Sequence, residues 1–376
     1  MASVAAPQGI ALVHDYLLAP RGAERTFAAM ADCWPDAPIF TLLHDSRAMS
    51  GLFGGRDVHA SHLQRLPASQ ANFRYLLPLF PSAVERLPMA DYELVLSSSS
   101  AFAHGVKPGA GSLHISYCHS PFRYVWHERS RALTEAPRYL RALTRRDLER
   151  VRRWDLKASQ RVDRYIANSE LTRARIQQFW GRDAEVVHPP VDVDRFHTGA
   201  PGDYFLVVGE VVSHKRTEVA LEAARRAGKP LKVVGTGPAL SFLRRKYGAG
   251  AEFLGRVSDS ELVELYAHAR ALVVPNVEEF GIAAVEAQAA GRPVLALDAG
   301  GARETVIDGE TGVLVGSEAP DAFAEAMTYV DFEKFDPERL ARHARSFSTA
   351  RFQERLQTEV ARICSSTKET LSEALV

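Results

Sequence analysis

No apolar run in this chain approaches the roughly 20 residues of a membrane-spanning helix. Its start, Met1-Ala2-Ser3-Val4-Ala5, lacks the pattern of a secretory signal. Cysteine is scarce. Cys33, Cys118 and Cys364 show neither paired spacing nor a metal pattern, which argues against a disulfide framework and fits a reducing cytoplasm. Neither sign of charge is in excess, with 46 Lys and Arg against 46 Asp and Glu, so no global field draws the protein to nucleic acid. No internal repeat and no aspartate pair of the metal-ligating kind stands out, and no metal is expected. What is present is length: 376 residues suffice for two domains, each with a full core.

Strand and helix patterns alternate almost throughout. Gly9-Ile10-Ala11-Leu12-Val13 reads as a strand of the doubly buried, parallel type, and Ala23 to Ala31 as the following helix. Leu94-Val95-Leu96, Leu113 to Tyr117 and Arg164 to Ala167 read as further strands, and Asn168-Ser169-Glu170 caps a helix running to Trp180. The stretch His188-Pro189-Pro190-Val191-Asp192 cannot be helical and reads as the connection between halves. A second series runs through Tyr204 to Val208, Leu231 to Val234, Ala251 to Leu254 and Ala271 to Val274. Such βαβ series imply open parallel sheets with ligands at the strand carboxyl ends. The expected division is 1–190, 191–345 and a terminal helix over 346–376.

Two glutamates eight residues apart carry the chemistry. In Pro275-Asn276-Val277-Glu278-Glu279-Phe280-Gly281-Ile282, followed by Ala283 to Glu286, Glu278 lies on a loop after a buried strand and Glu286 about two turns along a helix. Unpaired N–H groups at the helix start can meet an anionic or hydroxylated ligand. Acidic acceptors beside a row of donors suit a polyhydroxylated, phosphorylated molecule, that is, a nucleotide sugar. The plainer reading is a pair of helix-terminal acids favoured by the dipole.

This segment resembles the signature of the retaining glycosyltransferases of family four, which have the GT-B fold. The resemblance continues in order through Val207-Val208-Gly209 with Lys215, Val233 to Pro238, Phe253-Leu254-Gly255-Arg256-Val257, Gly300 to Glu304 and Asp308 to Gly312. In the first half, His14-Asp15-Tyr16-Leu17 with Gly22-Ala23-Glu24, Tyr117-Cys118-His119-Ser120-Pro121-Phe122-Arg123-Tyr124 and Ala167-Asn168-Ser169 look like the bacterial mannosyltransferases of surface polysaccharide assembly. The likeness runs from about residue 10 to residue 350.

The resemblance implies an α/β protein of two Rossmann-like parallel-sheet domains facing each other across a cleft, with the last helix crossing back to the first domain. It implies a cytoplasmic hexosyltransferase taking mannose from GDP-mannose, with a UDP-sugar as the alternative donor, and a glycan or lipid-linked acceptor. Glu278, His119 and Lys215 are the expected catalytic set. Lys215 is implied on the diphosphate, where a cation stabilises charge on the leaving group. Arg216 is the candidate second cation, Gly235 supplies a tight turn, and Arg256 and Val257 lie against the base. Phe280, Gly281 and Ile282 are expected to meet the sugar or phosphate through their amides, Glu286 the ribose hydroxyls, and Gly22 to allow close approach of the donor. The family is thought to substitute on one face of the sugar, so Glu278 positions and stabilises rather than attacks.

Three positions depart from the pattern. Glu210 stands where relatives have an arginine on the diphosphate, a placement costing roughly a few kcal/mol if it faced the phosphates in a dry site. Glu279 and Arg21 each replace a glycine. Glu210 keeps open a second reading, a non-catalytic nucleotide-sugar-binding partner; no motif supports an epimerase or a phosphorylase on the same architecture. Finally, Arg138 to Arg161 holds nine Lys and Arg (138, 141, 145, 146, 150, 152, 153, 157, 161) against Asp147, Glu149 and Asp155, with Leu140, Leu143, Leu148, Val151 and Trp154 interleaved. This basic amphipathic pattern suits either an anionic membrane surface or a solvated helix on its own domain.

Overall fold

The structure is a computed structural model that describes residues 9–66 and 73–373; the opening stretch Met1 to Ala5 lies outside them. The chain divides into two compact units, Met1–His188 together with Gln353–Val376, and Pro189–Phe352.

The first unit is built on seven parallel strands: β1 (Ile10–Leu17), β2 (Ile39–His44), β3 (Val58–Ala60), β4 (Leu94–Ser99), β5 (Leu113–Cys118), β6 (Arg164–Ala167) and β7 (Ala184–Val186). Their order is β3-β2-β1-β4-β5-β6-β7, so the chain winds outward in both directions from β1 and β4. Leu12 and Val13 of β1 are fully buried, as expected of a strand covered on both faces. Helix α1 (Gly22–Ala31) sends Phe27 onto one face, where it stacks on His14. Helix α2 (Arg141–Ser159) buries Leu148 and Val151 in the core on the other face, with Val13 and Val95. Helix α3 (Glu170–Trp180) starts at Ser169, whose side chain accepts from the Thr172 N–H, and stops at Gly181 in the left-handed conformation.

β4 runs further than its apolar residues alone imply. Ser97, Ser98 and Ser99 continue the strand in full burial because each hydroxyl has a histidine partner. Ser97 meets His114, Ser98 meets His14 and His119, and Ser99 meets His104. Each of the three serine hydroxyls is thereby partnered in the core.

The second unit repeats the architecture with six parallel strands: β8 (Phe205–Val208), β9 (Leu231–Val234), β10 (Ala251–Gly255), β11 (Ala271–Val274), β12 (Val294–Leu297) and β13 (Gly312–Val315), in the order β10-β9-β8-β11-β12-β13. Helices α4 (Thr217–Ala227), α5 (Asp259–Ala267) and α6 (Ile282–Ala289) position the groups discussed below. The final helix, α7, spans Thr349–Glu373. Its residues from Gln353 on belong to the first unit, where the Gln353 amide donates to the Ala29 carbonyl at 3.0 Å.

Candidate active site

In a doubly wound sheet, ligands bind outside the strand carboxyl ends where the order reverses. In the second unit that point lies between β8 and β11. Glycines end three adjacent strands there. Gly209 N–H donates to the Val234 carbonyl at 3.0 Å, and Gly235 N–H to the Gly255 carbonyl at 2.7 Å. Gly235 has φ of 134°, and a Cβ on it would lie 1.8 Å from the Gly209 carbonyl oxygen. Only glycine lets these loops close to this distance.

Beyond Gly209, a short turn brings Lys215 to Glu278 from the loop after β11. The ammonium donates to both carboxylate oxygens, at 2.7 and 2.6 Å. Asn276 adds a third hydrogen bond, from Nδ2 to Glu278 Oε1 at 3.0 Å. Both charged side chains are partly accessible, 30% for Lys215 and 18% for Glu278. Gly281 then turns the chain into α6 with φ of 99°, and Phe280 is buried against Phe347.

Glu286, on α6, is held from two sides. Arg195 donates to Oε1 at 3.3 Å and the Tyr266 hydroxyl to Oε2 at 2.9 Å. Tyr266 is wholly buried, and burial together with the Glu286 charge holds its phenol well above the usual range. Neither Tyr266 nor Arg195 was singled out from the sequence. Nothing local marks them, since they lie 20 and 91 residues from their partner.

The remaining candidates in this unit are disposed differently. Arg216 is the one non-glycine residue with positive φ among the described residues, at 50°, and its guanidinium pairs with Glu318 rather than with Glu278 or Glu286. Such a backbone is a strained state for arginine. Arg256 is exposed, and Val257 packs against the core of the unit. Glu210 is exposed, and Glu279 is half-buried.

His119 and Gly22 belong to the first unit. Gly22 opens α1, where its carbonyl accepts from Thr26 Oγ1 at 2.9 Å. Arg21, the residue before it, donates its N–H to Glu24 at 3.2 Å. His119 follows β5: its N–H donates to the Ser99 carbonyl at 2.9 Å, its carbonyl accepts from Thr172 Oγ1 at 3.2 Å, and its Nε2 lies 2.8 Å from Ser98 Oγ. Burial lowers the imidazole pKa to about 4, so the ring is neutral at physiological pH. Asp15, on β1, is buried under three N–H donors, Ser100, Phe102 and Ala103, at 2.5 to 2.7 Å. Cys118 is a buried core residue whose thiol is raised well above its usual range by burial, the behaviour of packing filler.

The basic stretch resolves into two faces. Asp155 is not a surface counter-charge: it is wholly buried, and its Oδ2 accepts the indole N–H groups of Trp126 and Trp180, each at 2.7 Å. On the outer face Leu143 and Leu156 are exposed among Arg145, Arg146, Arg153 and Lys157, next to Tyr139, which is 84% exposed. Among the described residues no helix is long and apolar enough to cross a membrane.

Two Rossmann-like parallel-sheet units of this kind define the GT-B fold of glycosyltransferases, and solved structures agree. Over 94% of this chain and all of the other, the fold matches Anabaena Alr3699/HepE in complex with UDP and glucose, with a TM-score of 0.70 at 18% identity. Sucrose-phosphate synthase from Thermosynechococcus elongatus matches over 95% of this chain and all of its own, also with a TM-score of 0.70, at 16% identity. In sequence, residues 20–195 match the family described as Glycosyltransferase Family 4, and residues 193–347 match Glycosyl transferases group 1. Among curated proteins, D-inositol 3-phosphate glycosyltransferase 2 of Catenulispora acidiphila is 33% identical over 202 residues, 44% of this chain and 47% of its own. D-inositol 3-phosphate glycosyltransferase of Rhodococcus erythropolis is 32% identical over 226 residues, half of each chain. The chain thus spans about half the length of the curated relatives it matches.

Proposed function

We propose that this protein is a retaining hexosyltransferase that takes its sugar from a nucleotide diphosphate donor bound by the second unit. One observation carries the reading: Glu278 and Glu286 flank the start of α6, beside the reversal point of a parallel sheet, with Lys215 already drawn to the first of them. In this reading Lys215 leaves Glu278 for the diphosphate when donor enters, which frees the carboxylate for sugar hydroxyls. Glu286 takes the ribose, Gly209 and Gly235 leave room for the phosphates, and the amides of Phe280, Gly281 and Ile282 face the donor. Arg216 would have to exchange Glu318 for phosphate, and Arg256 and Val257 lie toward the base. In the first unit, His119 meets a sugar hydroxyl and Gly22 leaves space for the donor.

GDP-mannose is the donor implied by the motifs of the first half. A UDP-sugar is the second reading, favoured by the UDP and glucose bound in the Anabaena structure. The acceptor is a hydroxyl of a glycan or lipid-linked molecule. The outer face of α2 supports a peripheral contact with anionic lipid, because exposed leucines among arginines gain both apolar burial and charge attraction there.

The deciding experiment is a thermal-shift panel of GDP, UDP, ADP and their sugar conjugates. A ligand at a hundred times its dissociation constant adds about 2.7 kcal/mol to stability. A shift confined to GDP and GDP-mannose supports the mannosyl reading, one confined to UDP compounds supports the second, and no shift at all refutes donor binding. Hydrolysis of the donor without acceptor would separate an enzyme from a binding partner.

A further inference from the structure

His14 and Ser98 stand on neighbouring strands and His119 directly follows the next one, and register explains why they meet. His14 of β1 is the direct neighbour of Ser98 of β4, and Ser98 is the direct neighbour of Tyr117 of β5. Alternate residues of a strand share a face, so His119, two beyond Tyr117, returns to the same side. Ser98 Oγ lies 3.1 Å from His14 Nδ1 and 2.8 Å from His119 Nε2. His14 is itself fixed by its stack on Phe27, with ring centroids 4.7 Å apart, and meets His119 edge-on at 6.3 Å.

The hydroxyl couples the two rings. Burial keeps both imidazoles neutral, with His14 lowered to about 3 and His119 to about 4. A neutral imidazole carries one N–H, and a hydroxyl carries one proton. When Ser98 donates to one ring, the other ring must donate to it, and the two tautomers are then linked. The distances fit one direction: the 2.8 Å contact suits Ser98 donating to His119 Nε2, and the 3.1 Å contact suits His14 donating from Nδ1 to Ser98. His119 then holds its own proton on Nδ1.

We propose that Ser98 and His14 are positioning residues that hold His119 in the Nδ1–H tautomer, so that it presents a hydrogen-bond donor to an oxygen of the transferred sugar. The contact with sugar rests on the glycosyltransferase reading above; the tautomer does not. Neither residue touches substrate in this scheme, and each acts through the ring of His119.

Two measurements test the proposal separately from the function. The first is ¹⁵N NMR of the ring nitrogens in full-length protein at neutral pH, without substrate. Wild type should show His119 protonated at Nδ1, and Ser98→Val should release it to a mixture. A wild-type Nε2–H tautomer, or the same Nδ1–H tautomer in Ser98→Val, overturns the proposal. The second is turnover of GDP-mannose or UDP-glucose. Ser98→Val should lower kcat about tenfold, the size of one lost neutral hydrogen bond, with nucleotide affinity unchanged, while Ser98→Thr, equal in shape but keeping the hydroxyl, restores it. If Ser98→Val fails to fold, the pair His14→Phe and His14→Asn replaces it: the first should lose kcat and the second, which keeps a donor near Nδ1, should recover it. Full kcat in Ser98→Val or in His14→Phe overturns the positioning role. A wild type that turns over neither donor refutes the sugar contact along with the glycosyltransferase reading, and the NMR result still decides the tautomer.

Discussion

Lys215 and Glu278, 63 residues apart in sequence, form a two-pronged ion pair at 2.6 and 2.7 Å beside the reversal point of the second sheet. A partly accessible pair of this kind contributes little to stability, because solvent still screens it. Its interest is that each partner is also the group that a phosphorylated sugar would require. Under the proposed function, donor entry would exchange one charged contact of Lys215 for another.

Replacing either partner should separate binding from turnover. Lys215→Ala should weaken a nucleoside diphosphate about tenfold to a hundredfold, the worth of one charged hydrogen bond, and leave a nucleoside unaffected. Glu278→Ala should cost kcat far more than nucleotide affinity. Calorimetric titration and initial rates measure both; an equal loss of nucleotide affinity in the two variants contradicts the roles assigned.

Tyr266→Phe tests the support of Glu286. The substitution removes the 2.9 Å hydrogen bond to Oε2 and leaves Arg195 on the other oxygen. Stability should fall by about 1 kcal/mol. If Glu286 binds ribose, the preference for a nucleotide over its 2′-deoxy analogue should also narrow, which competition binding would detect.

Gly235→Ala should fail to fold or unfold readily. The added methyl would meet the Gly209 carbonyl oxygen at 1.8 Å, and φ of 134° is unsuited to alanine. A cost above about 3 kcal/mol is expected from strain plus displaced backbone. Urea denaturation with a midpoint near wild type would refute the close approach of the two loops.

His114 makes the first unit sensitive to acid. It is fully buried, and burial lowers its pKa from 6.5 to about 3. A histidine depressed in the folded state contributes stability above pH 6.5 that is lost as pH falls toward the folded value, since the unfolded chain takes the proton first. Asp155, pushed up to about 7 by burial, acts in the opposite direction below neutrality. The variant His114→Asn isolates one histidine: its loss of stability between pH 7.5 and pH 5 should be smaller than that of wild type by about 2 kcal/mol. Equal losses in paired denaturation curves would show that His114 protonates without penalty.

The outer face of α2 should bind vesicles containing phosphatidylserine at low salt, and Leu143→Asp together with Arg146→Glu should abolish the binding. Flotation that leaves wild type wholly unbound would remove the membrane proposal.

Much of this architecture was legible in the chain because strands buried on both faces read as short apolar runs. β1, β8, β9 and β11 are of that kind, and the helix from Glu170 to Trp180 was marked by its serine cap. β3, with only three residues, and β7 offer too little pattern to stand out. β4 reads three residues short, because serines are poor evidence for a strand until their histidine partners are known.

The same division holds for the site. The spacing of Glu278 and Glu286, the glycines after successive strands and the basic run of α2 are local patterns, and the sequence by itself determined them. That Lys215 takes Glu278, that Tyr266 and Arg195 share Glu286, that Arg216 turns to Glu318 and that Asp155 lies beneath two indoles were decided by tertiary structure alone. Periodicity and caps act over a few residues, whereas these partners are chosen by which strands become neighbours and in what register. His14 finds Ser98 across 84 residues because β1 and β4 pair at that residue, a choice made by the packing of the whole sheet.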